Sequence, residues 1–419
     1  MKDIRRRTGT VMGAAVSLVA VVVSACGSSS AGTSTTSKAS ASAAGYPTPG
    51  SSPISLNILD IAGNLQLSAG AITEFANAHT NWLSGQPSET TAAAPTLVSK
   101  LQPEEQSGNV TTDLVLTGTD GLASGIVNGL WDPLVPQYSA LFGTTSALKA
   151  KYIPGAWNMM SLAQDAAKSY ECVELDFYPS GPLLAYNPAV VTDPPTTPQA
   201  LLTWAQANPG KFEYADPANS GPGRTFVQGL PYLLGDSNPQ NPQTGWTKTW
   251  AYLAQLGQTI PKYQTGTTAT MKDLANGTVD MIATTTGWDL SEKVNATIPA
   301  NFKVTNFAKM TWVNDAQYAC VPKGLPKATE AVVLQLINWM LKPQEQAYAY
   351  DNGYFYPGPA MANVALTQAP AQDQTEINQY KYPDFDTWIK EFPNAVQVTA
   401  SNFTYFTQYW KQNIAAGKE

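Results

Sequence analysis

The hydrophobic pattern changes character three times along the chain. Residues 11–23 form an apolar run interrupted by one polar side chain, Ser17. Residues 27–52 carry almost no apolar side chain able to build a core. From residue 53 onward, short alternating stretches take turns with stretches of helical period. Residues 54–61 (ISLNILDI) alternate apolar and polar, which predicts a first strand. Residues 62–64 turn into a helix over 69–79. Residues 113–117 (DLVLT) predict a short buried strand, then a polar turn at 118–121 and a helix over 122–128. Strands are expected at 172–177 and 183–186, on either side of a Pro179-Ser180-Gly181-Pro182 break. A helix over 197–208 has its apolar face at Leu201, Leu202 and Ala205. After a strand at 212–215, a loop rich in Pro, Gly, Asn and Ser (216–223) opens a helix over 224–234. Helices at 246–256 and 267–276 and strands at 279–283, 302–307 and 317–321 follow. The strongest 3.6-residue period lies in 326–341, at Val333, Leu336, Ile337 and Met340. A helix over 343–350 ends at Asn352-Gly353, a C-cap signal. The rest is aromatic-rich and helical. This alternation predicts an α/β fold with largely parallel sheets. There is no internal repeat and no P-loop.

The first regime is a targeting segment. Arg5-Arg6-Arg7, the apolar run and Val23-Ser24-Ala25 read as a signal peptide over 1–25. The run falls short of the roughly 20 residues that a spanning helix needs. Cys26 directly after the small residues looks like a bacterial lipobox, which makes Cys26 the lipidated N-terminus of the mature chain. Residues 26–52 then read as a flexible tether, since Gly, Ser, Ala, Thr and Pro cannot bury enough apolar surface to offset the entropy of ordering. A lipid, a tether and a large body describe a protein held at the outer face of a membrane.

Composition narrows the body's role. The 43% hydrophobic fraction supports a sizeable core, while only 13% of residues are charged. The formal charge is −7; the signal segment carries Lys2, Arg5, Arg6 and Arg7 against Asp3, so its loss leaves −10. An acidic body with no Lys/Arg run argues against nucleic acid. With Cys26 lipidated, Cys172 and Cys320 remain as an even pair in an oxidising compartment. The one histidine, His79, falls at the end of an amphipathic helix as a surface residue. A lone His without CxxC speaks against zinc, and nothing places a carboxylate beside it for Ser-His-Asp chemistry. No cofactor is expected.

Several segments occur in a telling order. They are Asp113-Leu114-Val115-Leu116 with Gly129-Leu130-Trp131-Asp132-Pro133-Leu134, then Gly181-Pro182-Leu183-Leu184-Ala185-Tyr186-Asn187-Pro188, then Asn208-Pro209-Gly210-Lys211-Phe212. After these come Leu274-Ala275-Asn276-Gly277-Thr278-Val279-Asp280-Met281, Cys320-Val321-Pro322-Lys323-Gly324 and Gly353-Tyr354-Phe355-Tyr356-Pro357. In this order the chain resembles the extracellular solute-binding proteins of ABC importers, most of all the group with polyamine-, iron- and thiamine-binding members. The resemblance implies a two-lobed, periplasmic-binding-protein-like α/β fold (type II) with the ligand cleft between lobes and hinge closure. It maps lobe one to 53–171 and 311–419 and lobe two to 172–310, with crossing strands near 172–177 and 311–319. It implies a small-molecule ligand, a membrane permease as partner, a monomeric receptor and no enzymatic activity. Under this map Cys172 and Cys320 both lie on chain crossings and are expected to form a disulfide. Adjacent tyrosines mark the iron-binding members; this chain has no Tyr-Tyr pair, which speaks against ferric iron.

Ligands of open α/β sheets sit at the carboxyl ends of strands, by helix N-termini. The loops at 62–64, 118–120, 220–224 and 285–289 fit that description. The candidate contacts are Asn64, Thr119, Asp120, Tyr178, Ser220, Gly221, Arg224, Trp288, Asp289 and Tyr356. Asp120 reads either as a helix cap or as a ligand carboxylate. Ser220-Gly221-Pro222-Gly223 can bare N–H groups to an anion with Arg224 assisting, or be an ordinary loop with a surface arginine. Trp288-Asp289 can offer an aromatic face and a carboxylate to an organic cation, or Trp288 can be core; Tyr178 and Tyr356 also admit core readings. Together these favour a small polar solute, cationic before anionic. The competing functions are a secreted glycan-binding or glycan-active lipoprotein, suggested by 11 Trp and 19 Tyr, and a lipoprotein scaffold with a vestigial cleft.

Overall fold

Among the described residues eleven strands, in chain order, carry the fold: β1 (Asn57–Asp60), β2 (Ser88–Thr91), β3 (Leu114–Gly118), β4 (Cys172–Gly181), β5 (Leu183–Tyr186), β6 (Phe212–Glu213), β7 (Met281–Thr284), β8 (Lys303–Asn306), β9 (Trp312–Cys320), β10 (Gly358–Pro359) and β11 (Asn394–Ala395). The structure is a computed structural model that describes residues 45–61 and 63–418. These belong to one unit, 40–419. The expected signal peptide, Cys26, most of the expected tether and Ala62 lie outside the described residues.

Two sheets result. A seven-stranded sheet runs β10-β4-β9-β3-β1-β2, with β11 also paired to β9; a four-stranded sheet runs β6-β7-β5-β8. The chain leaves the larger sheet through β4, passes at once into β5 of the smaller one, and returns from β8 into β9. β4 and β9 pair antiparallel along most of their length, because one carries the chain out and the other back. This corrects the expectation of largely parallel sheets: β1 is parallel to β2 and β3, and β6 to β7, but every pairing of β4 and β5 is antiparallel. β4 also runs through Pro179 and Ser180, absorbing them as an irregularity in its pairing with β9, where the sequence had suggested a break.

Each sheet has its own core. Leu59, Leu116, Val173 and Tyr318 pack with Val333, Leu336 and Ile337 of the helix Lys327–Met340, whose apolar stripe faces the larger sheet as its period required. Leu184, Phe212, Phe226 and Ile282 form the second core. The C-terminal helices Ala371–Tyr380, Phe385–Glu391 and Ala400–Asn413 bury Ile377, Phe385, Phe406 and Trp410 in this second core, whereas the expected map gave 311–419 to lobe one. At the other end Tyr46 packs against the first core, so ordered chain begins ahead of residue 53.

Cys172 and Cys320 face each other directly across β4 and β9 and are bonded, with their Cα atoms 4.5 Å apart. The bridge ties the ends of the two crossing strands that lie within the larger sheet, at the opposite end from the passage into β5.

Candidate functional site

The crossing strands, both sheets' loops and one C-terminal loop converge on a polar cavity. An inner chamber of about 90 Å³ is lined by Asp120, Tyr178, Arg224, Trp288, Asp315 and Gln317, among others. It adjoins an outer cleft of about 570 Å³ that shares Ile61, Asn219, Thr267, Trp288 and Tyr354 with it. Asp120 lies in the first turn of the helix Thr119–Asn128, which springs from the end of β3. Arg224 lies in the first turn of the helix Gly221–Leu234. Asp315 and Gln317 stand two positions apart on β9, so they share one face of that strand.

Charge is arranged around Arg224. Its Nη1 lies 3.0 Å from Asp120 Oδ2 and its Nη2 lies 3.2 Å from Asp315 Oδ2, and all three side chains are buried. Burial opposes the guanidinium charge, but Asp315 and Asp120 more than offset this and hold its pKa above the usual value. Two carboxylates against one guanidinium leave the cluster one formal negative charge. Arg224 Nε and Nη1 have no aligned hydrogen-bond acceptor, and neither Trp288 Nε1 nor Gln317 Oε1 has a protein partner. Buried polar atoms are rarely left in this state; here they share one chamber.

Aromatic rings form the opposite wall. Tyr178 stacks on Phe355 with centroids 4.2 Å apart, and Phe355 in turn on Tyr354 at 4.3 Å. Tyr354 packs against Trp288 at 5.2 Å. Trp288 opens the helix Trp288–Val294 directly after Gly287, whose φ is 89°. A Cβ at Gly287 would sit 2.0 Å from the carbonyl of Gly353, so close approach of these two loops requires glycine there. Among the described residues, no group of three or more His, Cys, Asp or Glu side chains is placed to hold a metal ion.

The family model for the bacterial extracellular solute-binding protein matches residues 71–406. The chain belongs to this family. No curated protein sequence matches it at a significant level. Solved structures of similar fold include a periplasmic thiamin binding protein, at 15% identity over 89% of this chain and 99% of that chain, with a TM-score of 0.59. A putative spermidine/putrescine ABC transporter from Listeria monocytogenes matches at 17% identity, 85% and 98% coverage and a TM-score of 0.55. The apo ferric ion-binding protein A of Pasteurella haemolytica matches at 12% identity, 87% and 99% coverage and a TM-score of 0.57. At these identities the likeness establishes the two-lobed fold, with its cleft at the strand crossings, and leaves ligand chemistry to the residues of this chain.

Of the ten residues expected at the cleft, Asp120, Tyr178, Gly221, Arg224 and Trp288 line the inner chamber. The others are engaged elsewhere. Asn64 precedes the helix Leu65–Ala78 without capping it through its side chain, and its Nδ2 donates to Asp176 Oδ2 at 2.6 Å. Asp289 is buried, with its Oδ2 ion-paired to Lys293 at 2.9 Å, and does not line the chamber. Tyr356 donates to Asp386 Oδ1 at 2.8 Å, away from the chamber; Tyr354 and Phe355 take the wall position instead. Thr119 sits behind Asp315, its Oγ1 3.1 Å from Asp315 Oδ1. Ser220 caps the helix Gly221–Leu234 by accepting from the Gly223 N–H at 3.2 Å. That helix starts three residues before the expected 224, and the Arg224 N–H is bonded to the Ser220 carbonyl. Pro222 has no N–H to give. The expected cradle of bare N–H groups is therefore absent, and Arg224 is a buried ion-pair member, not a surface residue.

The residues that sequence reading missed are Asp315, Gln317, Asn219, Thr267, Tyr354 and Phe355. One signal for the first two was present: in WVNDAQYAC, Asp315 and Gln317 are polar at a spacing of two inside an otherwise buried strand.

Proposed function

We propose that this protein is the substrate-binding lipoprotein of an ABC importer, capturing a small polar organic cation between its lobes and delivering it, unchanged, to a membrane permease. The observation that carries the cationic reading is the Asp120–Arg224–Asp315 cluster: the only buried cation lining the inner chamber is already shared by two carboxylates. An added cation restores balance, and the Tyr178, Trp288, Tyr354 and Phe355 rings supply faces on which a cation is favoured. A chamber of about 90 Å³ holds a small head group, judged against the ~10–15 Å³ that one water needs. The adjoining cleft takes the remainder of the solute.

A second reading rests on the Arg224 Nε and Trp288 Nε1 hydrogens, which lack acceptors. They suit a ligand that also carries an acceptor, such as a zwitterion. Calorimetry against 1,4-diaminobutane, spermidine, thiamine, 4-aminobutyrate, dicarboxylates and neutral sugars separates these. Binding of an amine that Asp315→Asn weakens at least about tenfold, the ~1.4 kcal/mol that one charge-assisted contact readily supplies, supports the proposal. Binding of anions alone, lost in Arg224→Met and kept in Asp120→Asn, overturns it; turnover of any panel member overturns the receptor role. Anchoring is tested separately by expressing the full chain in a bacterial host: Cys26→Ala should leave the precursor uncut and without lipid, and unchanged processing and membrane association overturn the lipoprotein reading.

A further inference from the structure

Behind the inner chamber, one buried amide joins parts of the molecule far apart in sequence. Gln397 is 2% exposed and follows β11, the short strand that pairs with the start of β9. Its Nε2 donates to Asp315 Oδ1 at 2.8 Å and to the Asn314 carbonyl at 3.0 Å, both on the returning crossing strand. Its Oε1 accepts from Gln228 Nε2 at 3.1 Å, and Thr119 Oγ1 also lies 3.1 Å away. Thr119 starts the helix that carries Asp120, beside the larger sheet; Gln228 is two turns into no other helix than the one that carries Arg224, beside the smaller. Gln228 also accepts from the Val398 N–H at 2.8 Å, docking the same segment. All the hydrogen-bonding capacity of one side-chain amide is thus spent on three elements, each of which supplies one member of the Asp120–Arg224–Asp315 cluster.

The segment that follows continues the same connection. The helix Ala400–Asn413 buries Phe406 and Trp410 in the core of the smaller sheet, yet packs against the helix Thr119–Asn128. Phe403 lies under Arg224, with the guanidinium carbon 5.8 Å from its ring centre.

We propose that Gln397 is a positioning residue and that residues 394–413 form a strap across the neck between the lobes. Gln397 holds Asp315 Oδ1 from behind, so that Oδ2 faces Arg224 and the chamber. It also couples the first turn of the Asp120 helix to the second turn of the Arg224 helix, so that movement of one lobe is felt at the other through the strap. Gln397 does not line the chamber, and its effect on any ligand is exerted through Asp315. The inference rests on the two-lobed fold and not on the ligand's identity.

Hydrogen–deuterium exchange of the full chain without ligand tests it. In Gln397→Met, which keeps length and loses the amide, peptides covering 119–125, 221–228 and 314–318 should exchange about tenfold faster together, as local opening free energies fall by the worth of the lost hydrogen bonds. Peptides in 327–340 should be unchanged. Faster exchange confined to 394–413, or spread evenly over the protein, overturns the proposal. Should Gln397→Met fail to fold, Gln228→Ala provides the reading: it removes the Gln397 partner on the Arg224 helix together with the bond to the Val398 N–H, and the proposal requires faster exchange at 119–125, which Gln228 reaches only through the strap. No change there overturns it. Failure of every solute in the calorimetric panel would leave this result standing, so the two readings fail separately.

Discussion

At the scale of single residues, the site is governed by what charge costs when it is buried. Arg224 is fixed between Asp120 and Asp315, and removing it strands two largely buried carboxylates without a counter-charge. Arg224→Met should therefore lower unfolding free energy by about 3–5 kcal/mol, read from urea denaturation; a loss under ~1 kcal/mol would mean the cluster is wetter than its burial implies. Other buried acids give the stability a direction in pH. Burial raises the carboxyls of Asp176 and Glu213 to about 8, Glu171 to about 7 and Asp113 to about 6. In the unfolded chain such groups ionise near pH 4. Between those values the folded state keeps protons that the unfolded state has released. Their contribution is complete below about pH 4 and is lost as pH rises through about 6–8. Glu104 and Asp386 work the other way: despite burial, hydrogen bonds from Thr111 and Thr112 and from Lys381 lower them, and their contribution fades as pH falls below about 4. The urea midpoint should be higher at pH 5 than at pH 8; the reverse order would show that these acids are solvated. None of this could be read from sequence, because Asp120, Asp289 and Asp315 are alike as letters. What separates them is whether the partner is Arg224, which the chamber shares, or Lys293, one helical turn away and outside it.

At the scale of elements, sequence was most informative where a local period is read out directly. The stripe at Val333, Leu336, Ile337 and Met340 fixed both the existence and the buried face of the helix Lys327–Met340. It was least informative where a helix starts. The helices Thr119–Asn128 and Gly221–Leu234 each begin three residues ahead of the expected start, because Gly and Pro read as loop although Pro and a serine cap are good first-turn chemistry. That shift turned an expected anion cradle into a closed helical turn. The crossing strands were half legible: Cys172 marked the start of β4, and the family resemblance placed the return near 311–319, but the local pattern marked strand only from 317, so Asp315 was not singled out. The bridge between these strands closes a separation of 148 residues. Its removal should cost about 5 kcal/mol in the chain-entropy model. Cys172→Ser with Cys320→Ser should lower the urea midpoint accordingly, and an unchanged midpoint in native protein with and without reductant would show that the bridge does not form.

At the scale of the whole molecule, the order of segments conveyed the two-lobed plan, while the distribution of the C-terminus between lobes was out of reach. Aromatic side chains such as Phe385, Phe406 and Trp410 announce burial without naming the sheet they are buried against. The position of the Cys172–Cys320 bridge has a consequence for a protein exposed outside the cell. Everything between the two cysteines, including the whole smaller sheet, is a covalent loop tied off at its base. A protease that nicks that loop once does not release a fragment, and the severed ends stay attached to the same body through sulfur. Limited digestion within 182–310 should leave a single full-length band on a non-reducing gel and separate into two pieces only when a thiol is added. A solute-binding protein among secreted proteases would thus survive its first cut in one piece, with both walls of its cavity still joined.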